Sequence, residues 1–200
     1  MAKSMSAQNI VTPDAESLMA SAKAAQKDGK LPPVHLWDPP FCGDLDMEIK
    51  RDGTWFYNGT PIGRAPLVRL FSSILKLEKG KYFLVTPVEK VGIRVQDAPF
   101  VAVDFETAGN GPDQIITFTT HVGDTVIAGP DNPIRVQRDA RGEPSPYVMV
   151  RGGMEALIDR KSFYRLVDLG EAYPVDEVDW FGVWSGGLFF PIIPVAELEI

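Results

Sequence analysis

Six residues could form a ligand site because they combine basic, acidic and aromatic side chains. They are Trp55, Arg64, Glu89, Asp97, Arg151 and Trp184. A guanidinium can hold a carboxylate or phosphate through two hydrogen bonds, so Arg64 or Arg151, each just before a predicted helix, could contact an anion. The alternative is structural: Arg64 would form an ion pair with Glu89 or Asp97, and Trp184 would pack against a bulged strand rather than cap a cleft.

Cys42 is a candidate nucleophile if His35 or His121 lies beside it as a general base. The alternative is a small buried thiol, which is the commoner role of a free cysteine. One cysteine and two histidines are too few for a zinc site at any ligand spacing present. We therefore expect no metal and no cofactor.

Three further motifs fail on spacing. The chain has no GxxxxGK[ST] loop and no strand-borne GxGxxG, which excludes those phosphate-binding loops. Ser185 lacks a nucleophile elbow because Val183 occupies the position of its first glycine. Asp44 and Asp46 begin no calcium loop because Ile49 stands where glycine is needed.

The elements that must position these residues begin with a helix predicted over residues 13–28, opened by Pro13 and closed by Gly29. A hairpin follows around the Asp52-Gly53 turn, and Asn58-Gly59 indicates a second tight turn. A helix is then predicted from Pro66 to near Gly80. Its apolar stripe is Leu67, Leu70, Phe71, Ile74 and Leu75.

Short β-branched and aromatic runs, separated by turn residues, predict an antiparallel meander or barrel-like sheet. The predicted strands are 82–86, 91–95, 100–105, 115–119, 122–127 and 134–137, with a further strand at 147–150. Gly152 and Gly153 are predicted to lead directly into a second helix that carries Leu157, Ile158, Tyr164 and Val167. The last thirty residues return to strand.

Two stretches share one plan of strand, Arg-Asp turn, strand and helix. The first contains Arg51-Asp52 and the helix from Pro66, and the second contains Arg138-Asp139 and a helix from Met154. A duplication would place a cleft between two similar halves, where ligand sites often form. Convergent hairpin-helix units would produce the same pattern, so both explanations stay open.

The charge balance disfavours general nucleic-acid binding. Twenty basic and twenty-seven acidic residues give a formal net charge of -7, which repels phosphate backbones. The first ten residues lack the apolar run of a secretion signal, and no stretch approaches the roughly 20 apolar residues of a membrane span. We therefore expect a cytoplasmic protein.

Four long strings together resemble the bacterial family called domain of unknown function 1285. They are LPPVHLWDPPFCGDLDMEIKRDGTWFYNGTPIGRAPLVRLFSSIL, YFLVTPVEKVGIRVQDAPFVAV, PYVMVRGGMEALIDR and GVWSGGLFFP. The resemblance implies an α+β protein with a duplicated strand-hairpin-helix core and a C-terminal half similar to pleckstrin-homology folds. It also implies ligand binding at the domain interface or a role in signalling, and it supplies no catalytic residue.

These observations predict an N-terminal helical arm at residues 1–30, an α+β subdomain at 31–86 and a β-rich subdomain at 87–200. The favoured function is a non-enzymatic ligand-binding or regulatory module that holds a polar small molecule between the two subdomains. The alternatives are an adaptor that binds a protein partner through a sheet edge or the N-terminal helix, and an enzyme that uses Cys42.

Overall fold

Residues 14–26 and 31–198 are described by a computed structural model, which contains three α-helices and fifteen β-strands in that part of the chain. The chain divides into two compact units. The first holds residues up to Glu48 and Phe56–Arg94, and the second holds Ile49–Trp55 and the chain from Val95 onward. In this division Ile49–Trp55 belongs to the second unit and residues 87–94 belong to the first. The predicted subdomain boundaries stay a prediction.

The first unit contains two helices, α1 (Ala15–Ala25) and α2 (Ala65–Ser73). Its sheet is formed by β1 (Phe41–Ile49), β2 (Trp55–Tyr57), β3 (Thr60–Pro61), β4 (Leu75–Glu78), β5 (Lys81–Val85) and β6 (Lys90–Val95), in the spatial order β3-β2-β1-β6-β5-β4. A single 3₁₀ turn, Val34–Leu36, precedes β1. Helix α1 buries Leu18 and Ala22, and its predicted end at Gly29 lies outside the described residues.

Both predicted tight turns of this sheet are confirmed. At the first, the N–H of Lys50 donates to the carbonyl of Thr54 at 2.9 Å, and Gly53 has a φ of +85°. At the second, Asn58 and Gly59 have φ values of +48° and +73°, as a two-residue hairpin turn requires. The Asn-Gly and Asp-Gly signals were therefore sufficient to locate these turns.

The predicted helix from Pro66 to Gly80 is wrong in its second half. Helix α2 ends at Ser73, where the hydroxyl of Ser72 donates to the carbonyl of Arg69 and that of Ser73 to Leu70. The chain then enters β4, which pairs antiparallel with β5. Ile74 and Leu75 are nevertheless fully buried. The apolar stripe correctly identified core residues, but core burial alone does not distinguish helix from strand.

The second unit contains a six-stranded sheet and a three-stranded sheet. The first is formed by β7 (Phe100–Ala108), β8 (Ile115–Thr120), β9 (Thr125–Ile127), β10 (Ile134–Arg138), β11 (Pro144–Arg151) and β12 (Met154–Ile158), in the spatial order β10-β11-β12-β7-β8-β9. The second is formed by β13 (Glu171–Val175), β14 (Val178–Ser185) and β15 (Leu188–Pro194). Strands β12 and β7 run parallel, so the six-stranded sheet is mixed rather than wholly antiparallel. Two further 3₁₀ turns are Gly111–Asp113 and Val195–Glu197.

The second predicted helix begins later than expected. Gly152 and Gly153 have φ values of +57° and +75° and form a tight turn into β12, so Leu157 and Ile158 lie on a strand. Helix α3 (Arg160–Val167) starts after Asp159, whose carboxylate accepts a 2.7 Å hydrogen bond from the N–H of Ser162. Alternate residues of β12 are buried, and this period of two is typical of a strand.

One order of elements occurs twice along the chain: three strands, a helix and three more strands. It runs from β1 to β6 around α2, and from β10 to β15 around α3. The first turn of each set is capped in the same way, because Asp52 accepts from the N–H of Thr54 and Asp139 from that of Arg141. The duplication itself stays a prediction.

Candidate functional site

Arg51 is the central residue of the candidate site, which lies within the second unit. Its Nη1 is 2.6 Å from Oδ2 of Asp97, and its Nη2 donates to the hydroxyl of Ser145 at 2.8 Å. Its backbone N–H donates to Oε1 of Gln96 at 3.0 Å. The Arg51 side chain remains 52% exposed, whereas that of Asp97 is 19% exposed. The guanidinium is therefore fixed on one side and open to solvent on the other.

Tyr147 supports the carboxylate that holds Arg51. Its buried hydroxyl donates to both oxygens of Asp97, at 2.9 and 3.1 Å. Burial, and secondly the hydrogen bond to Asp97, raises the pKa of Tyr147. The guanidinium of Arg135 lies 4.3 Å from the centre of the Tyr147 ring and binds Glu155 through two hydrogen bonds of 2.6 and 2.5 Å. A second layer of polar contacts thus keeps the first in place.

A concavity of about 550 Å³ opens beside Arg51, between the start of β11 and the start of α3. We call it the Arg51 pocket. Its polar and aromatic lining includes Arg51, Glu143, Ser145, Arg160, Phe163 and Tyr164. A smaller concavity of about 350 Å³ shares Arg51 and Ser145 and adds Asp97 and Tyr147. Volumes in this range suit small ligands.

The Arg51 pocket can bind a polar group, but its lining offers no activated nucleophile. Two guanidinium groups, of Arg51 and Arg160, reach it, and guanidinium groups recognise carboxylates and phosphates. Of its two acidic residues, Asp159 is already used to cap α3. Neither histidine nor cysteine contributes to this lining. The chemistry available is therefore recognition and orientation of an anionic group.

Of the six residues proposed from the sequence, Asp97 contacts Arg51 and Tyr147. Three others also belong to the second unit but have different surroundings, namely Trp55, Arg151 and Trp184. Trp55 is 1% exposed and belongs to the core. Arg151 forms an ion pair with Asp124 and lies 4.6 Å from the centre of the Phe100 ring.

Trp184 belongs to an aromatic cluster on the three-stranded sheet. Its ring centre lies 4.8 Å from that of Tyr173 and 5.4 Å from that of Phe189. Its indole N–H donates to Oε1 of Glu171 at 2.6 Å. Trp184 therefore packs against its own sheet, as the structural alternative expected.

Arg64 and Glu89 lie in the first unit. Asp97 lies in the second unit, where it binds Arg51. Among the described residues, Oε1 of Glu89 is buried without a hydrogen-bond partner, which excludes an Arg64 contact to that oxygen. Burial raises the pKa of Glu89, and a hydrogen bond from Ser21 opposes that rise.

The suggested nucleophiles have structural surroundings. The thiol of half-buried Cys42 contacts the carbonyl of Pro40 at 3.4 Å. Nδ1 of His121 accepts the N–H of Val101 at 3.1 Å, and burial lowers its pKa. The hydroxyl of fully buried Ser185 donates to a backbone carbonyl at 2.7 Å and accepts a backbone N–H at 2.9 Å. Backbone groups therefore contact Cys42 and Ser185, whereas Nε2 of His121 is buried without a hydrogen-bond partner among the described residues.

Sequence reasoning missed Arg51, Ser145, Tyr147 and Arg160 as site residues. Arg51 did carry a signal, since it immediately precedes the Asp52-Gly53 turn and so lies at the end of a hairpin. Ser145 and Tyr147 carried none, because their role depends on where β11 lies relative to the residues after β6. Within residues 14–26 and 31–198, no group of three or more metal-ligating side chains occurs, and no helix is long and apolar enough to cross a membrane.

Comparison with known proteins identifies the family. A profile for the N-terminal domain of unknown function DUF1285 matches residues 32–98, and one for the C-terminal domain of the same family matches residues 99–192. The chain belongs to the DUF1285 family. Its two matched domains meet close to the boundary between the two compact units. No curated protein matches it.

Two solved DUF1285 structures are similar to this chain. One is a DUF1285 family protein from Silicibacter pomeroyi DSS-3, with 65% identity, a TM-score of 0.83, and coverage of 92% of this chain and 98% of that one. The other is a DUF1285 family protein from Shewanella baltica OS155, with 31% identity, a TM-score of 0.50, and coverage of 62% and 91%. Both matches support the α+β fold.

Proposed function

We propose that this DUF1285 protein is a non-enzymatic regulatory module that binds a small polar ligand with a carboxylate or phosphate group in the Arg51 pocket. A role in signal transduction would follow if ligand binding altered a protein partner. The observation that carries the proposal is that the half-exposed guanidinium of Arg51 is fixed by an ion pair with Asp97 and a hydrogen bond to Ser145. An arginine fixed in this way loses little side-chain entropy when it binds an anion.

The sequence hypothesis located the ligand between two subdomains, whereas this proposal locates it within the second unit. The reason is that Arg51, Asp97 and the lining of the Arg51 pocket all belong to the second unit. The recurring order of elements supports a duplicated core. The likeness of the C-terminal half to pleckstrin-homology folds stays a prediction.

A thermal-shift screen of the full chain against carboxylated and phosphorylated metabolites tests this function. A ligand at a hundred times its dissociation constant adds about 2.7 kcal/mol, which for this chain length raises the melting temperature by roughly 5–10 °C. We expect Arg51→Gln to abolish the shift produced by at least one such compound.

Arg94→Gln is the matched control. Arg94 is also a half-exposed arginine in a short ion pair, 2.7 Å from Asp46, but it belongs to the first unit and is absent from the lining of the Arg51 pocket. The ligand shift should persist in this variant. A screen without a hit, or hits that survive Arg51→Gln, would refute the proposed function.

A further inference from the structure

A second concavity, of about 580 Å³, lies in the first unit between α1 and α2. We call it the Arg64 groove. Its lining is Met19, Lys23, Gly63, Arg64, Ala65, Pro66, Leu67 and Leu70. Its apolar part combines buried Leu70 with half-buried Met19 and Leu67. The groove therefore has an aliphatic floor formed by both helices.

The charged residues that the structure describes in the lining of the Arg64 groove are basic. Lys23 and Arg64 are its two ionisable lining residues, and both are exposed. Among the residues that the structure describes, neither forms an ion pair with a carboxylate. The whole chain carries a formal charge of -7, so the two cations of the described lining contrast with the average surface. Such a groove is complementary to an anion.

We propose that the Arg64 groove binds a small amphiphilic carboxylate, of the kind represented by a medium-chain fatty-acid anion. The aliphatic tail lies on Met19, Leu67 and Leu70, and the carboxylate is bound by Arg64 and Lys23. Burial of the tail supplies apolar contact area, and the two cations select the anionic head. This site is separate from the Arg51 pocket and does not depend on it.

The test is a titration of the full chain with decanoate, decanol and decyltrimethylammonium below their micelle-forming concentrations. These probes share a tail length and differ in head-group charge. We expect decanoate to bind most tightly and to shift the NMR signal of the Met19 methyl group, identified through Met19→Leu. The double variant Lys23→Gln/Arg64→Gln should weaken decanoate binding about tenfold or more, because it removes both cations that bind the carboxylate.

Arg69→Gln is the matched control, because Arg69 is an exposed arginine of the same helix outside the groove lining. Decanoate affinity should stay within about twofold in this variant. A second variant, Ala65→Trp, fills the groove from an exposed position and keeps both charges. It should weaken decanoate binding while the protein retains its circular dichroism spectrum.

Four outcomes would overturn the inference. The first two are equal affinities for decanol and decanoate, and an unchanged decanoate affinity in Lys23→Gln/Arg64→Gln. The third is that the protein binds vesicles of anionic lipid but does not bind free decanoate. The fourth is that Arg51→Gln alone abolishes decanoate binding. The last outcome would assign decanoate to the Arg51 pocket. The two proposals therefore fail separately.

Discussion

The guanidinium of Arg51 lies 2.6 Å from the carboxylate of Asp97, and this ion pair joins the first hairpin turn to the segment that follows β6. Because the Asp97 side chain is only 19% exposed, its charge needs both of its polar partners. Arg51 is half-exposed to solvent, whereas Tyr147 is buried. This asymmetry allows the supporting layer to be tested separately from the ligand contact.

Tyr147→Phe should lower the free energy of unfolding by about 1 kcal/mol, because it removes the hydroxyl that donates to Asp97. Urea unfolding of the full chain measures this loss. Tyr164→Phe is the control, since Tyr164 is 58% exposed, and it should change stability by less than about 0.5 kcal/mol. Equal effects of the two variants would contradict a supporting role for Tyr147.

His121 should make the protein less stable in mild acid. Burial lowers its pKa from the ordinary value of 6.5, so the unfolded chain takes up a proton before the folded chain does. Stability due to neutral His121 is present above about pH 6.5 and is lost as the pH falls toward the folded pKa. Melting temperatures measured from pH 7.5 to 5.0 should show this decline.

His121→Asn should reduce that decline, whereas the same substitution of His35 should not. The chain has only these two histidines, and His35 is exposed. An identical pH dependence in His121→Asn and the unsubstituted protein would show that other groups cause the acid sensitivity.

Glu89→Gln should raise the melting temperature at pH 7. Burial raises the pKa of Glu89 above its ordinary value of 4.5, so the folded chain binds the Glu89 proton more tightly than the unfolded chain does. The stability that Glu89 contributes is complete below about pH 4.5 and is lost as the pH rises through the folded pKa. The gain from Glu89→Gln should therefore shrink as the pH falls toward 4.5.

Glu106→Gln is the control for Glu89→Gln, because Glu106 is exposed on β7. Glu106→Gln should leave the melting temperature nearly unchanged both at pH 7 and near pH 4.5. A destabilising effect of Glu89→Gln at pH 7 would mean that the charged carboxylate stabilises the fold.

Gly182→Ala should destabilise the protein by about 1–3 kcal/mol through steric overlap. A Cβ atom at this position would overlap the carbonyl oxygen of Phe190 and lie 2.7 Å from the Phe189 ring. Gly129→Ala is the control, since a Cβ there meets no atom within 4 Å. Chemical denaturation of both variants distinguishes close packing from a general intolerance of alanine.

Local signals predicted turns and core residues better than they predicted the boundaries of helices. Asn58-Gly59 specified its turn because few residue pairs accept two consecutive positive φ angles. Ile74 and Leu75 were recognised as core but assigned to a helix, because an apolar run alone is compatible with either element. Leu157 and Ile158 were misassigned in the same way, since Gly152 and Gly153 form a hairpin turn and not a helix start.

The sequence by itself determined the α+β class, the positions of the tight turns and membership of the DUF1285 family, because these depend on local residue patterns and on long matching strings. Only the tertiary structure decided that Asp97 binds Arg51, and that Arg64 and Lys23 share a groove. These contacts depend on strand order and helix packing, which bring together residues that are far apart in the chain. Local periodicity carries no information about those distances.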